Sequence, residues 1–180
     1  MTEGFYQAVK IIWDVFESME KSSGYVYTGE QEAGKPHGYG VVIFNNGLQY
    51  VGKWADGLPH GTGRLTDKFK RYSYSGKWLN GIFHGEGSFE LAGGDCYEGS
   101  WVCGLRHGKG YYRRSVGGWE YRGDWRRDHM HGHGFMNDFA AGTAYDGFWI
   151  NGRRSSSGKF RISKENDYHG NRADGQIFGT

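Results

Sequence analysis

From Tyr27 onward apolar and polar positions alternate, the period of an extended strand with one buried face. Tyrosine, glycine and tryptophan recur at offsets 0, 2 and 4 in Tyr50-Gly52-Trp54, Tyr74-Gly76-Trp78, Tyr97-Gly99-Trp101, Tyr121-Gly123-Trp125 and Tyr145-Gly147-Trp149. Within each strand those three positions point the same way. A polar turn follows, such as Ala55-Asp56-Gly57 or Leu79-Asn80-Gly81. The next segment alternates two glycines with an apolar residue: Val42, Leu65, Phe89, Tyr112, Met136 or Phe160. Strand, turn and strand predict a β-hairpin with one aromatic face. Glycine weakens a strand unless another group must approach its backbone. The pattern therefore predicts that the aromatics of each hairpin cover the glycines of its neighbour.

Before residue 27 the period changes. Phe5, Val9, Ile12, Trp13, Phe16 and Met19 share one face of a helix running from about Gly4 to Glu20, which Ser22-Ser23-Gly24 ends. A repeat array needs its terminal unit covered, so this amphipathic helix is expected to cap the first hairpin or lie in the groove, or else to reach a partner. Lys10 and Lys21 are offset by Asp14, Glu17 and Glu20, which argues against insertion at a membrane surface.

The hairpin unit is a repeat. Its tyrosines stand at Tyr27, Tyr50, Tyr74, Tyr97, Tyr121, Tyr145 and Tyr168, every 23 or 24 residues. His-Gly-x-Gly recurs at His37, His60, His84, His107 and His131. The unit Tyr-x-Gly-x-Trp-x-x-Gly-x-x-His-Gly-x-Gly, seen in Tyr50–Gly63 and Tyr74–Gly87, strongly resembles the MORN repeat (membrane occupation and recognition nexus). On that reading residues 1–26 are a helix and linker. Residues 27–180 are an array of six complete hairpins and a partial one from Tyr168. The resemblance implies an all-β fold, an elongated single antiparallel sheet of stacked hairpins, with a groove lined by Tyr50, Trp54, Tyr74, Trp78, Tyr97, Trp101, Tyr121, Trp125, Tyr145 and Trp149. It implies a non-enzymatic scaffold that binds a partner helix or peptide in that groove or forms a homodimer, plausible in a cytoskeletal, axonemal or ciliary assembly. Tethering to a membrane and service as an accessory subunit of a separate enzyme are the alternatives it carries.

Composition narrows the classes. The 180 residues include 33 glycines, against an ordinary helical protein, and only 2 prolines, against collagen. A net charge of +2 and 17% aromatic residues argue against disorder. That charge also gives no basis for nucleic-acid binding. Cys96 and Cys103 would lie about 23 Å apart on one strand, too far to bridge, and free thiols suit a reducing cytosol. No signal-like or 18-residue apolar stretch appears, so a soluble cytoplasmic protein is expected.

Candidate chemistry is sparse. The repeat histidines are expected to buttress turns through hydrogen bonds. His129, His131 and His133 would share a strand face, a spacing a transition metal could use, but no cysteine or carboxylate cluster accompanies them. No nucleophile stands beside a base, and Gly-x-Gly lacks the strand-to-helix context of a phosphate loop, so neither catalysis nor a cofactor or metal is expected. Basic residues pair at Lys68, Lys70 and Arg71, at Arg113 and Arg114, at Arg126 and Arg127, and at Arg153 and Arg154. Aligned along one edge of the sheet they would meet anionic phospholipid, with Arg126, Arg127, Arg153 and Arg154 the candidates. Three departures from the repeat stand out: Asp128 in place of a turn glycine, Ser155-Ser156-Ser157 in place of His-Gly-x, and an incomplete last hairpin with Ile177 and Phe178 at an edge open to pairing.

Overall fold

The computed structural model describes Lys10, Asp14, Phe16, residues 24–162 and the backbone of 166–169, 172–173 and 176–177. Six hairpins follow in order. They are β1 (Tyr25–Glu32) with β2 (Lys35–Phe44), β3 (Leu48–Ala55) with β4 (Leu58–Asp67), and β5 (Tyr72–Leu79) with β6 (Ile82–Leu91). Then come β7 (Cys96–Val102) with β8 (Leu105–Arg114), β9 (Trp119–Arg126) with β10 (His129–Asp138), and β11 (Thr143–Ile150) with β12 (Arg153–Ile162). These strands and the short β13 (Asn166–His169) form one open sheet in sequence order. Strands pair antiparallel, as β1 with β2, β3 with β4 and β12 with β13, where Phe160 stands opposite Tyr168. The short strands β14 (Arg172–Ala173) and β15 (Gln176–Ile177) pair with each other. Of the helix expected over Gly4 to Glu20, all but Lys10, Asp14 and Phe16 lies outside the described residues. The first two are exposed and Phe16 is buried. The chain divides into two compact units, Met1–Ala92 with Trp101–Gly104, and Gly93–Ser100 with Leu105–Thr180.

Local chemistry explains the hairpins. Five of the tight turns, Ala33-Gly34, Asp56-Gly57, Asn80-Gly81, Cys103-Gly104 and Asn151-Gly152, carry positive φ at both residues, the geometry that matches strand twist and favours glycine second. The sixth, Arg127-Asp128, does so without glycine, at φ 48° and 66°. From the second hairpin on, the second turn residue also donates its N–H to the hairpin before. Gly57 donates to the Pro36 carbonyl at 2.9 Å, Gly81 to Pro59 at 2.9 Å, and Gly152 to Met130 at 2.8 Å.

The His-Gly pair of the motif lies in a bulge inside the second strand. Gly52 pairs with Gly63 while Trp54 pairs with Pro59, which leaves His60-Gly61-Thr62 against the single Lys53, with Gly61 at φ +69°. This differs from the expected turn buttress. The Nδ1 atoms of His60 and His131 are buried with no hydrogen-bond partner among the described residues.

Tyrosine and tryptophan use the bare backbone differently. A Cβ added to Gly40, Gly63, Gly87, Gly110, Gly134 or Gly158 would overlap the ring of Tyr27, Tyr50, Tyr74, Tyr97, Tyr121 or Tyr145, each in the same hairpin as its glycine. Each of these hydroxyls then donates to the carbonyl three residues on, as from Tyr50 to Lys53 at 2.8 Å and from Tyr121 to Asp124 at 2.9 Å. Tryptophan crosses to the preceding hairpin. Its indole N–H donates to a glycine carbonyl, from Trp54 to Gly40 at 3.2 Å, Trp78 to Gly63 at 3.1 Å, Trp125 to Gly110 at 3.3 Å and Trp149 to Gly134 at 3.1 Å. Coverage of a neighbour's glycines thus falls to tryptophan, and tyrosine covers its own.

Candidate functional site

The ten aromatics expected to line a groove, Tyr50, Trp54, Tyr74, Trp78, Tyr97, Trp101, Tyr121, Trp125, Tyr145 and Trp149, are all 0–4% exposed. They pack edge to face, for example Tyr50 against Trp54 with ring centroids 5.0 Å apart and Tyr121 against Trp149 at 5.2 Å. Burial pushes the hydroxyls of Tyr50, Tyr74 and Tyr121 well above the ordinary tyrosine range.

One residue position decides what covers this face. At the second position of the second strand stand Pro36, Pro59, Phe83, Arg106, Met130 and Arg154 in the six hairpins, opposite Gln31 in the first and opposite the repeat tryptophan in the second, third, fifth and sixth. Phe83 stacks on Tyr74 at 3.7 Å and meets Trp78, Phe89 and Trp101 at 4.8, 5.9 and 5.4 Å. In the second unit the guanidinium of Arg106 lies 4.4 Å from the ring centre of Trp125, 5.4 Å from Tyr112 and 5.8 Å from Tyr97. Arg154 lies 5.6–5.8 Å from the rings of Tyr145, Trp149 and Phe160. In the first unit Pro59 is too short for this role, and Phe16 supplies the ring. It stands 5.6 Å from Phe44, 5.8 Å from Tyr50, 6.2 Å from Trp54 and 5.8 Å from Trp78, edge-on to all four, and is 1% exposed.

The basic residues do not line one edge. Lys68, Lys70 and Arg71 lie in the β4–β5 connection and Arg113 and Arg114 at the end of β8, whereas Arg126, Arg127, Arg153 and Arg154 lie at the tight-turn ends of their hairpins. Alternation along the strand turns Arg154 inward onto the aromatic core, while Arg126, Arg127 and Arg153 are exposed. Arg71 is bound to Asp67, and between the exposed Lys68 and Lys70 stands Phe69, 66% exposed.

Nor do the three close histidines converge. The bulge between His131 and Gly134 interrupts the strand pairing beside them. His129 Nδ1 lies 2.8 Å from the Arg127 carbonyl, and His133 Nε2 lies 3.3 Å from Asp146. Among the described residues no group of three or more His, Cys, Asp or Glu side chains could hold a metal ion. On the opposite face of the first unit a broad hollow of about 710 Å³ is lined by Tyr39, Val51, Arg64, Ser75, Lys77 and Glu86, a mixed-charge surface that the repeat motif did not foreshadow.

Comparison with known proteins bears on the repeat. No curated protein matches the chain. The family model for the MORN repeat matches six times, at residues 27–49, 50–68, 74–96, 97–119, 121–137 and 145–166. MORN repeats are in general protein- or membrane-interaction modules, and typically non-enzymatic. With the motif matched over most of its length and built as successive hairpins, the chain belongs to the MORN-repeat family.

Proposed function

We propose that this chain is a non-enzymatic scaffold that receives a partner helix or peptide on the aromatic face of its first unit, in a cytoplasmic assembly of cytoskeletal, axonemal or ciliary type. The location comes from family analogy alone. The observation that carries the binding role is the seat of Phe16. A side chain from outside the repeats inserts among Phe44, Tyr50, Trp54 and Trp78, so this face accepts an apolar group that is not part of the sheet. Apolar recognition of this kind withstands salt, because it does not depend on surface charge. Affinity purification from the native source at about 0.5 M salt, followed by mass spectrometry, tests the reading. A stoichiometric protein partner, a separate enzyme included, is the expected result. Recovery of the chain alone, with neither a partner nor a second copy, would overturn it.

The membrane reading has one observation in its favour, the exposed Phe69 between Lys68 and Lys70. An aromatic tip flanked by cations suits an anionic bilayer interface. Co-sedimentation with phosphatidylserine vesicles separates the candidates. Loss of binding in Lys68→Glu/Lys70→Glu places the contact there, and loss in Arg126→Glu/Arg127→Glu/Arg153→Glu places it at the tight turns. Absence of binding by the wild-type chain removes the membrane reading.

A further inference from the structure

The seat of Phe16 is defined by the repeat itself. Phe83 packs against the tyrosine and tryptophan of its own hairpin, Tyr74 and Trp78, and against the tryptophan of the next, Trp101. Phe16 packs against the corresponding three residues one hairpin earlier, Tyr50, Trp54 and Trp78. It therefore fills in the second hairpin the place that Phe83 fills in the third. Arg106 and Arg154 fill the same place in theirs, each over its own hairpin's tyrosine. Those hairpins supply the group from their own second strand. The second hairpin offers only Pro59 there, and the first only Pro36, and these are the only 2 prolines in the chain. A ring-sized place in the core is thus left to a residue brought in from outside the array.

We infer that this place is an exchange site for a phenylalanine side chain, held by Phe16 in the free protein and taken over by a phenylalanine on an apolar segment of a partner. The inference rests on the scaffold reading above and adds its regulation. The rings around the site are edge-on to Phe16, an arrangement suited to a benzyl group. Lys10 and Asp14 are exposed, so the described polar residues of the same segment face away from the site. A competing segment needs only one apolar face. Because Phe16 is tethered to the array, it competes at a high effective concentration, and a partner must outbid it or bind after its release.

The test uses a fluorescently labelled synthetic peptide of residues 1–24, titrated into full-length protein and followed by anisotropy. The peptide is expected to bind the full-length Phe16→Ala chain at least about tenfold more tightly than wild type, whose own ring competes. A peptide carrying Phe16→Ala is expected to bind neither. Equal binding to both chains, or no binding to the Phe16→Ala chain, would overturn the inference. Should Phe16→Ala reduce the folded fraction, Phe16→Leu keeps an apolar side chain in place and is expected to rank between the two. Pro59→Phe, which gives the second hairpin the ring that Phe83 gives the third, is expected to abolish peptide binding while circular dichroism stays that of the wild type; peptide binding undiminished in Pro59→Phe would contradict the assignment of the site. Peptide exchange with no native partner recovered would sink the scaffold reading alone, and a recovered partner indifferent to Phe16 would sink the exchange site alone.

Discussion

The carboxylate of Asp128 accepts the backbone N–H of Arg106 at 2.9 Å and its Nε–H at 3.0 Å, across two hairpins of the second unit. The Asp128 carbonyl accepts from Nη2 at 3.2 Å, and the Asp128 N–H donates to the Arg106 carbonyl at 3.0 Å. Arg106 is 5% exposed and Asp128 15%, so this is a largely buried pair. It accounts for a turn that lacks its glycine. A residue other than glycine at φ 66° is strained, and Asp128 is held there because its carboxylate compensates the one guanidinium that replaces an apolar side chain over Trp125.

Removing one partner leaves an uncompensated buried charge, whereas replacing both by apolar groups is often neutral. Asp128→Gly relieves the turn but strands Arg106, and a net loss of about 2–4 kcal/mol is expected from urea unfolding. Arg106→Phe/Asp128→Gly, which copies the Phe83 hairpin, is expected to return stability to within about 1 kcal/mol of wild type. A double variant no more stable than Asp128→Gly would show that the pair is not what holds this turn.

Glycine is required where tyrosine lies on the backbone and is dispensable where the space beside it is open. Gly63→Ala would drive a methyl into the Tyr50 ring and is expected to lose at least about 2 kcal/mol. Gly93 has nothing within 4 Å of a built Cβ, and Gly93→Ala is expected to change stability by no more than about 0.5 kcal/mol. Similar losses at both positions would mean that the rings do not lie on bare backbone.

Alkali should unfold the array through its tyrosines. Those of Tyr50, Tyr74 and Tyr121 are raised in the folded state by burial, so the unfolded chain ionises first, above about pH 10. Their stabilisation is complete below that pH and is lost as pH rises toward the folded values. Tyrosinate absorbance for these side chains is expected to appear together with loss of the β-sheet signal. Ionisation well before unfolding would mean that they are open to solvent.

Acid acts through Asp67 in the opposite sense. Its carboxylate accepts Nη2 of Arg71 at 2.7 Å and Nε at 2.9 Å, and these bonds hold it below the usual carboxylate range against the opposing effect of burial. A depressed folded pKa contributes stability that is present above about pH 4 and lost as pH falls through the folded value. The advantage of wild type over Asp67→Asn should therefore be constant near neutrality and shrink below pH 4. An advantage independent of pH would assign the effect to packing.

Much of this fold is written in the alternation of aromatic residues with glycine. Tyr50, Gly52 and Trp54 fix a strand and its inward face, and Asp56-Gly57 fixes the turn that follows. Details that depend on the bulge are not visible that way, because the two extra residues at His60-Gly61 interrupt the strand pairing without changing its parity. The same interruption falls between His131 and Gly134. Hairpin ends also alternate between the two edges of a sheet, which is why Arg114 and Arg126 do not share one, and strand parity sends Arg154 inward. The seat of Phe16 was half legible. Its periodic apolar segment marked Phe16 as a buried residue, but the reason for its seat lies in Pro59, whose meaning appears only when Phe83 is seen packing at the same place one hairpin later.

The most direct measurement of the binding reading places a diazirine-bearing phenylalanine analogue at position 16 of the full-length chain and maps its photocrosslinks by mass spectrometry, with and without excess peptide of residues 1–24. Crosslinks to Phe44, Tyr50, Trp54 and Trp78 that fade as the peptide is added are the expected result. Crosslinks to other parts of the chain, or crosslinks to these four that the peptide leaves unchanged, would contradict it.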